Sequence, residues 1–295
     1  MSLFLNAVIA GIAIGSVYGL IAIGFTVVYN ATRVFNLAQG DLVMLGVLLS
    51  WYLLDVLHWP QVAAAAAVLV GIPVVSLFEE RFVVRPFIRR PGDNIGWFIA
   101  TLAFALIVET VVTNLYGNRP PEAVPSPFAS TAIHLSRSIT TAPKFIFAFG
   151  ALVLVTVAIE AFYRRTWFGT AMRAAAEDRE VAALRGIEPT RVSVAAFAIG
   201  GLVAAVAGFV VAPIVFSDVS VGLAYTLKGF IALAIGGFGS IRGALVGALA
   251  LGVGEQIFDL YVTARYDVLA GLGLLMIVLV FRPTGLFGAR GVRQV

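Results

Sequence analysis

TLKGFIALAIGGFGSIRGALVGALALGVGEQIFDLYV, residues 226–262, is apolar over most of its length. One membrane crossing takes about 20 residues, so this run is too long for a single upright helix. Its middle, GGFGSIRGALVG, gathers glycines around one arginine. Two readings stand. Either the chain breaks near Gly239–Arg242 and leaves two short helices over 226–241 and 243–262, or one strongly tilted helix lets Arg242 snorkel to the interface. Counting crossings along the rest of the chain decides between them.

The surroundings make a membrane the solvent. Of 295 residues, 60% are hydrophobic and only 12% charged, against about 25% charged in an ordinary soluble domain. Apolar segments fall at roughly 3–29, 34–57, 61–79, 95–116, 144–163, 191–215, 226–262 and 266–281. They are too long and too uniformly apolar for the alternating ten-residue strands of an outer-membrane barrel. The expected fold is therefore an all-α integral membrane protein, a polytopic helical bundle of about 8–9 membrane segments, some of them short or broken. A single transmembrane domain covers 1–295. The start, MSLFLNAVIAG, has no basic residues before its apolar run, so the first helix is expected to stay in the mature protein.

Basic residues mark the cytoplasmic side. They cluster at Arg81, Arg85, Arg89 and Arg90, then from Arg164 and Arg165 through Arg173, Arg179, Arg185 and Arg191, and last at Arg282, Arg290 and Arg293. Two spans separate the first cluster from the second, which returns the chain to the same side. The connection from Gly117 to Pro143 is rich in proline and serine and reads as an external loop with a short surface helix. Between Arg191 and Arg282 the crossings must again be even in number. Counting 226–262 once gives three and fails; breaking it gives four. Parity and helix length thus select the break, and short glycine-interrupted helices commonly line polar pathways. The first third stays open. If 34–57 spans, there are nine crossings and an external N-terminus; if it is re-entrant, eight and an internal one.

Glycines recur every four residues at Gly11, Gly15 and Gly19, and at Gly239, Gly243 and Gly247. Small residues at this spacing let helix backbones approach closely, so helix packing or a helix break is their expected role. VFNLAQGDLVMLG places Asn36, Gln39 and Asp41 at the start of an apolar segment, and ALIVETVVTN places Glu109 inside one. A mid-membrane aspartate costs about 2.5–3.5 kcal/mol on insertion scales, which excludes a lipid-facing position. These four residues either cap and brace helix ends or line a solute path. Glu255 and Gln256, near the end of their helix, read as structural.

Several functions are excluded. Without cysteine there is no disulfide framework or thiolate site. The two histidines, His58 and His134, lie far apart, so no metal site is expected. There is no HExxH, GxSxG or phosphate loop, so neither catalysis nor ATP binding is expected of this chain. Its net charge of +4 sits at helix ends and suggests no nucleic-acid partner.

One charged stretch stands apart. RAAAEDREVAALRGIEP, from Arg173 to Pro189, is rich in alanine and arginine, both strong helix formers, and Gly186 and Pro189 supply a stop. Plotted as a helix, its charges surround a narrow strip of Met172, Ala175, Ala176 and Ala183. Such a strip suits the close approach of another protein, with flanking charges setting orientation.

The chain resembles the permease subunits of branched-chain amino acid ABC importers, the shorter of two paralogues. Four stretches carry the likeness: GLIAIGFTVVYNATRVFNLAQGDLVMLG (19–46), TWFGTAMRAAAEDREVAALRGIEPTRV (166–192), GGFGSIRGALVGALALG (236–252) and FRPTGLFG (281–288). The resemblance implies a fold like that of type II ABC importer permeases and a cytoplasmic loop at 164–190 that carries a coupling helix. Arg173, Glu177, Asp178, Arg179 and Arg185 would orient that helix on a cytosolic ATPase, with Gly186 at its exit. It also implies a bacterial inner membrane, a paralogous permease, two ATPase subunits holding ATP and magnesium, and a periplasmic solute-binding protein; no cofactor binds this chain. Departures are Gln39, where the family often has histidine, and Asn30, where glycine is common. Members carry amino acids, urea, amides and aromatic acids, and the sequence does not choose among them. Two rival readings are a secondary transporter driven by an ion gradient through Asp41 or Glu109, and a non-transporting scaffold.

Overall fold

The computed structural model describes residues 2–88, 96–116, 121–125, 133–136, 139–177 and 179–288. Helix α1 (Ser2–Thr32) is apolar on every side, and such a helix is stable only when surrounded. It therefore runs through the centre, with Leu20, Ile21, Ala22, Ile23 and Phe25 fully buried, and packs on α6, α9, α10 and α11. The remaining helices follow in order: α2 (Gln39–Trp51), α3 (Gln61–Glu79), α4 (Arg85–Ile88), α5 (Gly96–Tyr116), α6 (Pro143–Arg165), α7 (Trp167–Glu177), α8 (Arg179–Leu184), α9 (Pro189–Val211), α10 (Val221–Gly236), α11 (Ile241–Tyr261) and α12 (Asp267–Phe281). Helices α2 and α3 each run on into a π-helical turn, at Tyr52–Val56 and Glu80–Val84.

Lipid gives helices no hydrophobic reason to associate, so close backbone contact must hold them. Gly11 and Gly15 of α1 face Gly252, Val253 and Ala248 of α11 at distances that leave no room for a side chain. Gly243 and Gly247 of α11 meet Gly236 and Ala232 of α10 in the same way. Gly19 lies against Leu152 of α6. Gly239 packs beside Asn30, in the break itself.

The break lies at 237–240, a few residues before the expected position, because Ser240 caps the second helix by accepting the Gly243 N–H at 3.0 Å. Gly237 and Gly239 take φ of 101° and 84°, values that strain any residue with a Cβ. The exposed carbonyls at the end of α10 are closed by the C-terminal segment: Leu286 N–H donates to Ile235 O at 2.9 Å and Phe287 N–H to Gly236 O at 2.8 Å. FRPTGLFG is thus the cap of a helix some fifty residues upstream, a pairing that satisfies backbone groups which lipid cannot.

Among the described residues seven helices are long and apolar enough to cross a membrane, and α10 and α12 are shorter apolar ones. The ends of α1, α6, α10 and α12 meet at the arginine-rich end of the bundle, tied by Asn30 to Gly239, Arg242 to Glu160 and Leu286 to Ile235. At the other end, Trp51, Tyr116, Glu122 and Ser217 bond together. Among the described residues nine apolar helices, α2 from partway in, thus run between these two ends, and the first helix starts at the end opposite the arginines. Segment 34–57 combines both expectations. Residues 33–38 enter the bundle without helical structure, and α2 then starts at the level of Gly24 and runs to the far end. The connection after α5 differs from expectation: its described part forms a two-stranded antiparallel hairpin, β1 (Ile133–Ser136) and β2 (Ile139–Thr141), rather than a helix.

Candidate functional site

The polar residues of the first block are drawn together where α2 begins. Asn36 accepts the Ala38 N–H at 2.9 Å and donates to Glu79 Oε2 of α3 at 3.0 Å. It both turns the chain into the helix and ties α3 to it. Gln39 reaches between α1 and α9, donating to Gly200 O at 3.2 Å. Gly24 opposite has no space for a Cβ. Gly40 N–H donates to Thr226 Oγ1 at 3.1 Å, and the Thr226 hydroxyl donates a hydrogen bond to Leu37 O at 3.2 Å. Asp41 is 2% exposed. It sits in the first turn of α2 and lies against Gly222 in the first turn of α10.

Glu109 is half-buried on α5 and lies within electrostatic reach of Asp41, as does Glu79. Three carboxylates from α2, α3 and α5 thus share one depth of the bundle. Sequence reasoning missed Glu79. In SLFEERF it reads as the polar flank of an apolar run, whereas the π-helical turn after it keeps the helix inside the bundle.

Lys228 was also missed, although an ionisable residue inside an apolar run is a recognisable signal. It is 4% exposed, bonds Glu255 of α11 and reaches Asp267 of α12 at 3.2 Å. Tyr18 of α1 donates to the second Glu255 oxygen at 3.0 Å. Four helices meet at this cluster, and Glu255 keeps the bracing role expected of it. Gln256 bonds Asp259, one turn further on.

At the arginine-rich end, α7 is part of the bundle. Met172 and Ala175 are buried and belong to its core. The strip expected to receive another protein is instead largely used within the chain: α7 must bury its apolar stripe somewhere, and α1, α6 and α9 lie beneath it. Ala183 alone of the described strip residues is exposed. Arg173 lies over the Tyr163 ring at 5.6 Å. It borders a polar cavity of about 300 Å³ with Asn30, Glu160, Arg164 and Arg242. Glu160 holds Arg242 through contacts of 2.6 and 3.0 Å and Arg164 at 2.7 Å. Asp178 and the side chains of Glu177 and Arg179 lie outside the described residues. Arg185 and Leu184 are exposed. Gly186, at φ 82°, ends α8 with paired bonds from Gly186 N–H to Ala183 O and Ile187 N–H to Ala182 O, each 3.0 Å. This is a Schellman stop.

A bundle with nine apolar helices among the described residues, and broken helices meeting at buried polar groups, defines a polytopic membrane protein of the permease type. A family model described as the permease component of branched-chain amino acid transport systems matches residues 7–280. The permease protein LivH of Salmonella typhimurium is 32% identical over 99% of this chain and 98% of its own length. LivH of Escherichia coli K12 matches to the same extent, and BraD of Pseudomonas aeruginosa is 31% identical over the same shares. The chain belongs to the branched-chain amino acid permease family.

Proposed function

We propose that the chain is one permease subunit of an ATP-driven importer in a bacterial inner membrane, carrying branched-chain amino acids or a closely related small solute. A paralogous permease completes the path, and a periplasmic binding protein delivers the solute. Two cytosolic ATPases with ATP and magnesium supply the bias between outward- and inward-facing states. The observation that carries this reading, beside family membership, is the build of residues 167–186. The inner side of α7 is locked into the bundle by Met172 and Ala175, and α8 ends in a fixed stop that leaves Leu184, 87% exposed, and Arg185 outside. A rod fixed to the bundle and bare on its outer side transmits a push. Orienting contacts to the ATPase are assigned to Arg173 and Arg185, both exposed, and to Glu177, Asp178 and Arg179, with Gly186 at the exit. Asn36, Gln39, Asp41 and Glu109 stand as candidates for the path.

The test is co-purification and uptake. Wild-type chain expressed with its partner subunits is expected to retain a stoichiometric ATPase and to accumulate leucine in proteoliposomes only with ATP inside. Leu184→Arg is expected to insert normally, lose the ATPase and abolish uptake. Gradient-driven uptake by the chain alone, without nucleotide, refutes the reading in favour of a secondary transporter.

A further inference from the structure

The polar cavity of about 300 Å³ at the arginine-rich end lies between the end of α6, the side of α7 and the start of α11. Among the described residues its lining carries three guanidiniums, those of Arg164, Arg173 and Arg242, against the single carboxylate of Glu160. Glu160 bonds Arg242 at 2.6 Å and Arg164 at 2.7 Å. One acid thus holds two guanidiniums side by side. Arg173 borders the same space from over the Tyr163 ring, with no ion pair among the described residues. Ser240 and Ile241 add the N-terminus of α11, whose partial positive charge has the same sign. A concave site with this excess of positive charge suits an anion with several acceptor oxygens, because guanidinium forks match the geometry of phosphate.

The surroundings say which anion. Clustered basic residues place this end at the cytoplasmic face, so the cavity lies at the headgroup level of the inner leaflet. Trp167, 76% exposed at the start of α7, is a residue type that settles at that level. From the cavity two apolar faces run into the membrane. On α6 the face that bears Arg164 and Glu160 continues through Val157 and Val153, 60% and 38% exposed. On α11 the face that bears Arg242 continues through Val246 and Ala250, both exposed. Steps of three and four residues keep to one side of a helix, and the contact of Arg242 with Glu160 sets the two faces next to each other. A soluble anion uses the cavity alone. A molecule with a phosphate and a hydrocarbon tail uses both.

We propose that this is a binding site for an anionic phospholipid of the inner leaflet: Arg164 and Arg242 hold its phosphate, Arg173 stands at the rim, and an acyl chain lies along α6 and α11. A phosphate seated there touches the end of α6 and the first turn of α11 at once, beside the break at Gly237–Ser240, and so braces the broken helix against its neighbour. A zwitterionic headgroup brings a cation of its own into a site that is already positive, which is why an anionic lipid is the assigned occupant. The inference rests on the arginine-rich end facing the cytosol and is independent of which solute the permease carries.

The test titrates the detergent-purified complex of the chain and its partner subunits with phosphatidylglycerol and reads bound lipid by native mass spectrometry. Phosphatidylcholine and sn-glycerol 3-phosphate are the comparison probes. Phosphatidylglycerol is expected to bind more tightly than phosphatidylcholine, and millimolar glycerol phosphate to leave it in place. Arg164→Gln combined with Arg242→Gln is expected to weaken retention at least about tenfold, since each arginine near an anionic headgroup contributes roughly a factor of five. Arg191→Gln removes an exposed charge outside the cavity and is expected to match wild type. Glu160→Gln separates lipid binding from a purely structural pairing: it frees both guanidiniums from their acid, and tighter retention is expected. Weaker retention by Glu160→Gln, or retention by the double variant equal to wild type, overturns the proposal. Equal binding of phosphatidylcholine removes the selection for an anion and overturns it too. Displacement by sn-glycerol 3-phosphate assigns the cavity to a soluble phosphate instead of a lipid. Loss of the ATPase from the double variant, with lipid retention unchanged, assigns the arginines to a subunit contact; either result refutes the lipid site.

Discussion

Lys228 shows what a single buried charge does in this bundle. It joins α10 to Glu255 on α11 and Asp267 on α12, while Tyr18 closes the cluster from α1. Deleting one partner of a buried pair leaves the other charge stranded, at a cost of about 3–5 kcal/mol. Lys228→Met is therefore expected to lower the thermal midpoint of the detergent-purified complex by many degrees, and Lys228→Met with Glu255→Met to recover much of the loss. A single variant that melts with the wild type removes the cluster from the list of what holds α12 in place. The lysine is plain in the sequence; its partners are not. Glu255 reaches it because the chain folds back at Gly237–Ser240, and Asp267 because it folds back again between α11 and α12, which brings together residues that linear spacing keeps apart.

Among the elements, the loop between α6 and α9 was legible as a helix with a stop, since alanine-rich propensity and a glycine before a proline are local signals. Its orientation was not. Which side of α7 is buried depends on α1, α6 and α9 beneath it, and Met172 and Ala175 face inward. Gly186 holds φ 82°, a conformation that costs a residue with a Cβ about 1–2 kcal/mol. Gly186→Ala is expected to loosen the exit of α8 and reduce ATP-driven uptake several-fold, whereas Gly186→Asn, which tolerates this conformation, retains most of it. Equal uptake by both variants and wild type shows that the stop does not matter to transmission. The contacts of Glu160 with Arg242 and Arg164 belong to the same scale. They join α6 to the start of α11, and Arg173 of α7 borders the same cavity.

For the whole molecule, the run of α1 through the bundle places the first residues opposite the arginine-rich end. The chain has no cysteine, so single cysteines report sidedness without background. Leu3→Cys, at a 69% exposed position, is expected to react with an impermeant thiol reagent from outside intact cells. Leu184→Cys is expected to react only after the membrane is opened. The reverse pattern for Leu3→Cys contradicts nine crossings. Taken alone, the sequence determined that lipid is the solvent, that long apolar runs become helices, that 226–262 breaks at its glycines, and which end carries the arginines. Each of these follows from the length, composition or local conformational freedom of one segment. Only the tertiary structure decided that 34–57 enters unwound and leaves as a helix, and that FRPTGLFG caps α10. Those outcomes depend on which surfaces meet across distant segments, and in a membrane that is settled by close packing and by pairing every buried polar group, neither of which linear order records.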